Sequence, residues 1–415
     1  MLNLWLFGIR QLGWKTTLVM VIKWLGWWLT TGRKYQQNWR LGRVLFDFVG
    51  HERVVKFDGK CVIFSLVPPV PSPAFDNMML PRKPRKAENN RVVLYPCFAD
   101  VALTGRCQFN CWHCSAAGRV NSDDDLPLDA WRRIVSQLQE ASVYYIGFTG
   151  GEPLLRDDLE DILASADERS VLALATSGIG LTAERAKRLK EAGLFYMLVS
   201  LDHPRPQVHD SHRRFDGAYA AAVQAMRYAR AANIYTILQA AITKEFVAEK
   251  AIQPLAELGK DIGIQEIRCR GIVPAGRLAK INRAALLTEQ DANTFVQIAE
   301  QINRQPDYPK ISLFEEFERP SRGGCNAGSS LVYVDSRGNV CPCDFVPLSF
   351  GNLCEESFED VWSRMRASLG MPQKDCLARY VADHVAEQYG KLPLPPKVSR
   401  EICRRYRTPE LPGMY

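Results

Sequence analysis

The chain has 415 residues, of which 47% are apolar, 24% charged and 10% aromatic, a composition that buries a sizeable core and excludes a disordered tail or a collagen-like repeat. The net charge is +7, and residues 1–60, with ten basic and three acidic side chains, carry all of it. Six of the nine Trp (Trp5, Trp14, Trp24, Trp27, Trp28 and Trp39) share that segment, and cations mixed with amphipathic aromatics fit a membrane surface rather than nucleic acid. Within it, TLVMVIKWLGWWL (17–29) reads as an apolar helix. Counted from Thr16 to Thr30, its fifteen residues reach about 22 Å and fall short of a bilayer core of about 30 Å. We expect residues 1–45 to form an interfacial anchor, with a lid packed on the following domain as the rival.

RVVKFDGKCVIFSL (53–66) reads as a β-hairpin around Asp58-Gly59, PPVPSPAF (68–75) as stiff and extended, and PRKPRKAENNR (81–91) as a charged linker. The main boundary is placed near Asn90. Strand-like and helix-like segments then alternate: 92–103, 128–140, 143–148, 157–168, 171–176, 182–192, 196–201, 218–232, 235–242, 249–260 and 264–269. Six βα repeats require parallel pairing with right-handed crossovers, so the expected fold is α/β, a partial (β/α)6 barrel over 91–310 with its chemistry at the carboxyl ends of the strands. A helix at Glu289–Asn303 leads into a Cys-bearing hairpin region (311–390), and 391–415 reads as a Pro-rich tail.

Seven of the twelve Cys crowd into 107–114 and 325–354 rather than spreading as a disulfide framework. With no small-residue cleavage site after the N-terminal apolar run, this predicts a cytoplasmic protein at the inner face of the membrane. Directly after the first barrel strand, Cys107, Cys111 and Cys114 are spaced Cys-x3-Cys-x2-Cys. Three thiolates leave one iron of a four-iron cubane open to a further chelator; the same Cys with His113 also match a zinc set. The next strand ends in FTGGEPLLR, containing Thr149, Gly150, Gly151, Glu152 and Pro153. Two glycines there suit close approach of a ligand to backbone, and Glu152 alternatively caps the helix that follows.

In these two motifs, in this βα register, the chain resembles the radical S-adenosylmethionine superfamily, less specifically over about Val92 to Arg277. The resemblance implies a [4Fe–4S] cluster on Cys107, Cys111 and Cys114, with Thr149–Pro153 aligning the methionine amino group of S-adenosylmethionine. It further implies contacts from His113 near adenine, from Ser177, Ser200 and Asp202 to ribose and methionyl groups, from Arg213 to the methionyl carboxylate, and from Pro274 and Gly276 near adenine. Cys325, followed by twelve residues, Gly338, four more and Cys343, resembles the auxiliary-cluster hairpin of the SPASM and twitch subfamilies. One auxiliary cluster is implied, on Cys325 and Cys343 with Cys341 and Cys376 as further candidates and Cys354 as rival; zinc remains the alternative metal.

The implied activity is reductive cleavage of S-adenosylmethionine to a 5′-deoxyadenosyl radical that abstracts hydrogen from an unactivated C–H bond, fed by a reductant such as flavodoxin or ferredoxin. No residue is named as radical partner. The Trp-rich N-terminus favours a membrane lipid or isoprenoid substrate, the twitch-like C-terminus a ribosomally made peptide; a non-catalytic metal-binding module is the third reading.

Overall fold

The computed structural model describes residues 53–80, 85–86, 92–93, 96–119, 124–316, 318, 324–370, 374–388 and 391–407. The expected helix at 17–29 and the anchor over 1–45 lie outside the described residues. Hairpin strands β1 (Val55–Phe57) and β2 (Lys60–Val62) pair antiparallel about Asp58 and Gly59, whose φ values of 50° and 70° make the tight turn. The stretch expected to be extended instead begins helix α1 (Pro73–Met79), because Pro73 at the first helical position is pre-set for the helix and the Ser72 side chain accepts from Phe75 N. Short strands β3 (Arg85–Lys86) and β4 (Val92–Val93) pair antiparallel before the barrel.

The barrel elements follow as β5 (Phe98–Ala102), α2 (Leu128–Glu140), β6 (Tyr145–Thr149), α3 (Leu159–Leu163), β7 (Val171–Thr176), α4 (Ala183–Glu191), β8 (Leu194–Ser200), α5 (Pro206–Arg213), α6 (Ala218–Ala231), β9 (Tyr235–Ile242), α7 (Lys244–Ala248), α8 (Ile252–Ile262), β10 (Glu266–Gly271), α9 (Glu289–Asn303) and β11 (Lys310–Leu313). The helices present apolar residues every third or fourth position, as in α2, where Trp131, Ile134, Val135 and Leu138 are buried. Downstream come β12 (Leu331–Val334), β13 (Val340–Cys341), α10 (Phe358–Leu369), α11 (Leu377–Glu387) and α12 (Pro396–Arg405), the last lying within the expected tail.

One nine-stranded sheet runs in the order β11-β10-β9-β8-β7-β6-β5-β12-β13, parallel throughout except for β13. The six expected strands are thus the middle of an open barrel, extended by β11 at one edge and by the C-terminal hairpin at the other. Alternation splits each strand. Ile146 and Phe148, Leu172 and Leu174, and Ile267 and Cys269 join the core under the helices, whereas Tyr145, Val171, Ala173, Tyr196, Leu198, Tyr235 and Ile237 pack together with residues 57–78.

This second cluster means that residues 53–80 plug the amino end of the barrel. Lys310 Nζ donates to Ile63 O at 2.7 Å, Ser65 Oγ to Glu266 Oε1 at 2.7 Å, and Tyr196 OH to Val67 O at 3.2 Å. Lys310, Glu266 and Tyr196, buried at the strands' amino ends, thereby find partners in the N-terminal segment. Only the carboxyl ends remain for chemistry.

Candidate active site

At those carboxyl ends the Cys loop leaves β5 and is pinned along its length. Thr104 Oγ1 and Gly105 N donate to Asp125 at 2.5 and 2.7 Å, Trp112 N donates to His212 O at 3.0 Å, and Arg277 donates to Cys111 O (Nη1, 2.6 Å) and Cys114 O (N, 3.1 Å). The loop gathers Cys107, Cys111 and Cys114 around Phe109, whose ring packs tilted against Phe215 with centroids 4.8 Å apart. Burial makes two of these thiols weaker acids: the Cys107 thiol is pushed up to about 12, and Cys111 is raised by burial against the opposing pull of Arg213.

The Gly-Gly segment lies directly on this loop. Gly151 N donates to Thr104 O at 2.8 Å and Glu152 N to Arg106 O at 2.9 Å. A Cβ on Gly151 would stand 2.1 Å from Arg106 O, and one on Gly150, whose φ is +147°, 2.6 Å from Thr104 O. The close approach expected of a ligand is therefore made by the Cys loop itself. Glu152, 1% exposed, is spent on protein: its carboxylate accepts from Leu154 N (3.1 Å), Thr176 Oγ1 (2.6 Å), Ser177 N (2.8 Å) and Ser177 Oγ (2.6 Å). It both caps the turn at Pro153 and ties the end of β6 to that of β7. Thr149 O accepts from Leu103 N at 2.9 Å, and Gly276 seats on the Cys loop, where its Cβ would fall 2.1 Å from Cys114 O.

Asp202, just past Ser200 at the end of β8, is 2% exposed and is the charged centre of the site. Arg213 Nη2 donates to its Oδ1 at 2.8 Å, as does Ala241 N at 3.1 Å, and His113 Nε2 lies 3.7 Å from Oδ2. Burial alone would raise this carboxyl, but Arg213, then His113 and His209, reverse it and hold the group well below the usual carboxylate range. Arg213 also reaches Cys111 Sγ at 3.8 Å, linking the acid to the loop. Asp202 N donates to His209 Nδ1 at 3.0 Å, and burial lowers His209 and His113 to about 4, so both rings are neutral at pH 7. Three buried atoms here lack a hydrogen-bond partner, namely Asp202 Oδ2, His113 Nδ1 and Arg213 Nε. A cleft of about 340 Å³ lined by Trp112, Asp202, His203, His212, Ala241 and Thr243 opens beside them.

A second thiol group forms at the sheet's other edge. Gly338, at φ +86°, closes the β12–β13 turn over Asp335, whose Oδ1 accepts from Arg337 N and Asn339 N at 3.0 and 2.9 Å. Beyond it, Cys325 and Cys343 are buried and Cys376 is half-buried, and the three thiols act on one another electrostatically. Cys341 is not brought to them: β13 ends there and the chain turns, leaving it packed with Ala102 and Tyr333. Cys354 is exposed beside Gly338.

Several residues were missed at the level of sequence. Arg270 at the end of β10 sits between Phe314 and Phe345, 4.2 and 4.4 Å from their ring centres, and pairs with Glu318 at 3.3 Å. Asp100 on β5 is raised to about 7 by burial and then by Asp344, against Arg268 and Arg270; a Cβ on its neighbour Gly147 would fall 2.3 Å from its carboxylate. The available signal was the alternation Glu266, Arg268, Arg270 with Ile267 and Cys269, a strand with charge on one face.

Residues 101–251 match the family model of the radical SAM superfamily, and 325–377 match that of the SPASM iron-sulfur cluster-binding domain. An AdoMet-dependent heme synthase of Methanosarcina barkeri is 26% identical over 281 residues, 63% of this chain and 80% of that protein. A PqqA peptide cyclase of Methylocella silvestris is 28% identical over 282 residues, 65% and 74% respectively. Streptococcus suis SuiB, solved with its precursor peptide SuiA, shares the fold at a TM-score of 0.56 and 17% identity, covering 65% of each chain. These domains bind a [4Fe–4S] cluster with S-adenosylmethionine and additional iron–sulfur clusters. The residues present fit both: two groups of sequestered thiols, and beside the first a carboxylate oxygen, a ring nitrogen and a guanidinium nitrogen without hydrogen-bond partners.

Proposed function

We propose that this chain, a radical S-adenosylmethionine enzyme with a C-terminal SPASM domain, modifies a side chain of a peptide substrate. The observation that carries this reading is the second thiol group, built onto the barrel edge through the β5–β12 pairing in a chain related to a peptide cyclase. The lipid or isoprenoid reading rested on residues 1–45 and moves behind it. A tetrapyrrole substrate is the second reading, favoured by the heme synthase relatives.

When bound, the first cluster and S-adenosylmethionine supply reductive cleavage of the sulfonium and hydrogen abstraction from an unactivated C–H bond. In this reading Cys107, Cys111 and Cys114 hold that cluster, and because burial raises the Cys107 and Cys111 thiols, loading it releases protons. The Thr149–Pro153 segment, fastened by Glu152, offers its backbone to the methionine end. Arg213 Nε would meet the methionyl carboxylate; Asp202 Oδ2, ion-paired with Arg213 but accepting no hydrogen bond, and Ser200 would accept from ribose or ammonium; His113 would lie beside adenine. Ser177 acts indirectly, through Glu152. The plug formed by residues 53–80 bars water from the amino end of the barrel. Asp100, Arg268 and Arg270 give the substrate chamber charged handles along one wall. Cys325, Cys343 and Cys376 hold the auxiliary cluster, and a flavodoxin or ferredoxin supplies the electron.

The test uses full-length protein reconstituted without oxygen, S-adenosylmethionine and a chemical reductant. 5′-Deoxyadenosine should form slowly alone and faster with a precursor peptide encoded beside the gene, whose mass changes by the loss of hydrogen. Acceleration by iron-coproporphyrin and not by peptide moves the tetrapyrrole reading ahead; methylated products alone end the radical assignment.

A further inference from the structure

A guanidinium keeps its charge at every working pH, and burying it without an anion or a full set of acceptors is costly. Three inner guanidiniums have their carboxylate: Arg156 meets Asp158 at 2.7 Å, Arg213 meets Asp202 at 2.8 Å and Arg270 meets Glu318 at 3.3 Å. Arg268 is taken up by Ser65 Oγ of the plug. Arg119 is left unmatched. It is 8% exposed, and among the described residues no carboxylate forms an ion pair with it and no atom accepts from its Nε or Nη1.

Only its Nη2 is engaged, by two carbonyl oxygens, Ser115 O at 3.3 Å and Asp344 O, while the guanidinium lies over the Tyr333 ring, 5.0 Å from its centre. Carbonyls and a ring face favour a cation but bring no negative charge of their own. Asp335 and Asp344 act on Arg119 electrostatically, yet neither carboxylate pairs with it, and Asp335 Oδ1 is occupied by Arg337 N and Asn339 N.

The idle donors lie on the carboxyl side of the barrel. Ser115 follows Cys114 and Asp344 follows Cys343, so Arg119 bridges the first Cys loop and the chain beside the second thiol group. Tyr333 stands opposite Asp100 on β5 and packs with Ala102. At this level the inner face carries the short side chains Ala102, Thr149, Ala175 and Ser200, where the amino-end level carries Tyr145, Tyr196 and Tyr235. The shortened wall leaves room at the end of the barrel that the plug does not close.

We propose that Arg119 binds a carboxylate of the substrate, the side chain of an aspartate or glutamate in the peptide, and so sets that residue between the two thiol groups. This deepens the peptide reading and rests on it. One uncompensated cation matches one negative charge; a phosphate dianion would call for a second cation, and Arg270 is already paired with Glu318.

The experiment uses full-length protein reconstituted without oxygen and two capped probes that differ only in charge, acetyl-Ala-Glu-Ala-amide and acetyl-Ala-Gln-Ala-amide, with binding read by equilibrium dialysis. The parent should hold the Glu probe about tenfold more tightly than the Gln probe, the margin of one charge-assisted hydrogen bond. Arg119→Gln keeps a donor for the two carbonyls without the charge and should bind both probes alike. Arg119→Lys keeps the charge on one nitrogen in place of three, so the preference should shrink but persist; it carries the test if Arg119→Gln does not fold, and a preference equal to the parent's overturns the proposal. Equal binding of the two probes by the parent also overturns it, as does an unchanged preference in Arg119→Gln. S-Adenosylmethionine should bind the parent and Arg119→Gln alike; its loss from the variant would make Arg119 a cofactor residue and overturn the substrate role. With the precursor peptide, Gln in place of one acidic residue should raise KM about tenfold in the parent and leave it unchanged in Arg119→Gln, as a direct pair requires. A precursor in which no acidic position behaves this way overturns the proposal while the peptide reading stands. A precursor that fails to accelerate cofactor cleavage removes the peptide reading, and the probe result alone then decides whether Arg119 binds a carboxylate.

Discussion

The two thiol sites are built in opposite ways. Cys107, Cys111 and Cys114 sit within eight residues on one loop, and its backbone is pinned by Gly151, Glu152, Arg277 and His212 from three other segments. Cys325, Cys343 and Cys376 come from three separate stretches, and their neighbour Arg270 is borrowed from the barrel. Local ligand spacing with tertiary support makes a site that forms whenever the barrel forms; distant ligands make one that reports on how the C-terminal region docks.

The sharpest way to break this comparison is to empty one site at a time. Ala at Cys107, Cys111 and Cys114 should abolish 5′-deoxyadenosine formation altogether and remove one cluster, leaving the other, by iron analysis and electron paramagnetic resonance. Ala at Cys325 and Cys343 should leave slow cofactor cleavage measurable while ending product formation. Equal loss of cleavage in both would show that the sites are not independent.

Gly151→Ala probes the tertiary support of the first site alone. A Cβ 2.1 Å from Arg106 O must push the Cys loop aside, and a displacement near 1 Å costs about a hundredfold in rate. Cofactor cleavage should fall by that order with the second cluster unaffected; a parent-like rate would mean the loops separate without cost.

A smaller effect comes from pH. His209 Nδ1 accepts from Asp202 N, which requires the neutral ring, and its folded pKa of about 4 lies below the ordinary 6.5. The unfolded chain therefore takes the proton first, so this contribution is complete above pH 6.5 and declines as pH falls from 6.5 towards 4. Thermal midpoints should drop across that window, and His209→Gln, which retains an acceptor without titrating, should flatten the slope. An unchanged slope places the titration elsewhere.

The mildest change expected is on removing residues 1–45. The full chain should float with anionic vesicles and release in high salt, whereas the shortened chain keeps both clusters and stays in solution. Unfolding of the shortened chain, with no flotation of the full one, would make the segment a lid. Among the described residues no helix is long and apolar enough to cross a membrane.

Much of the architecture was legible. Strands at 171–176 and 235–242 and helices at 128–140 and 289–303 stand at their expected limits, because period-2 and period-3.6 patterns with capping residues such as Thr288 are local signals. The Cys triplet and Gly-Gly-Glu-Pro were legible for the same reason: their spacing is contiguous. Helix α1 was not, since proline reads equally as a breaker and as a first helical residue.

The sequence by itself determined which segments are strands or helices, that six of them alternate, and that three thiols share one loop. Tertiary structure alone decided that residues 53–80 close the barrel and that Gly150 and Gly151 yield their space to the Cys loop. It also decided that Asp202 is met by Arg213 across 11 residues, and that Cys376 rather than Cys341 joins Cys325 and Cys343. The reason is physical: local periodicity is set by backbone geometry within a few residues, whereas contacts across dozens or hundreds of residues depend on strand order and on which buried polar groups still need a partner.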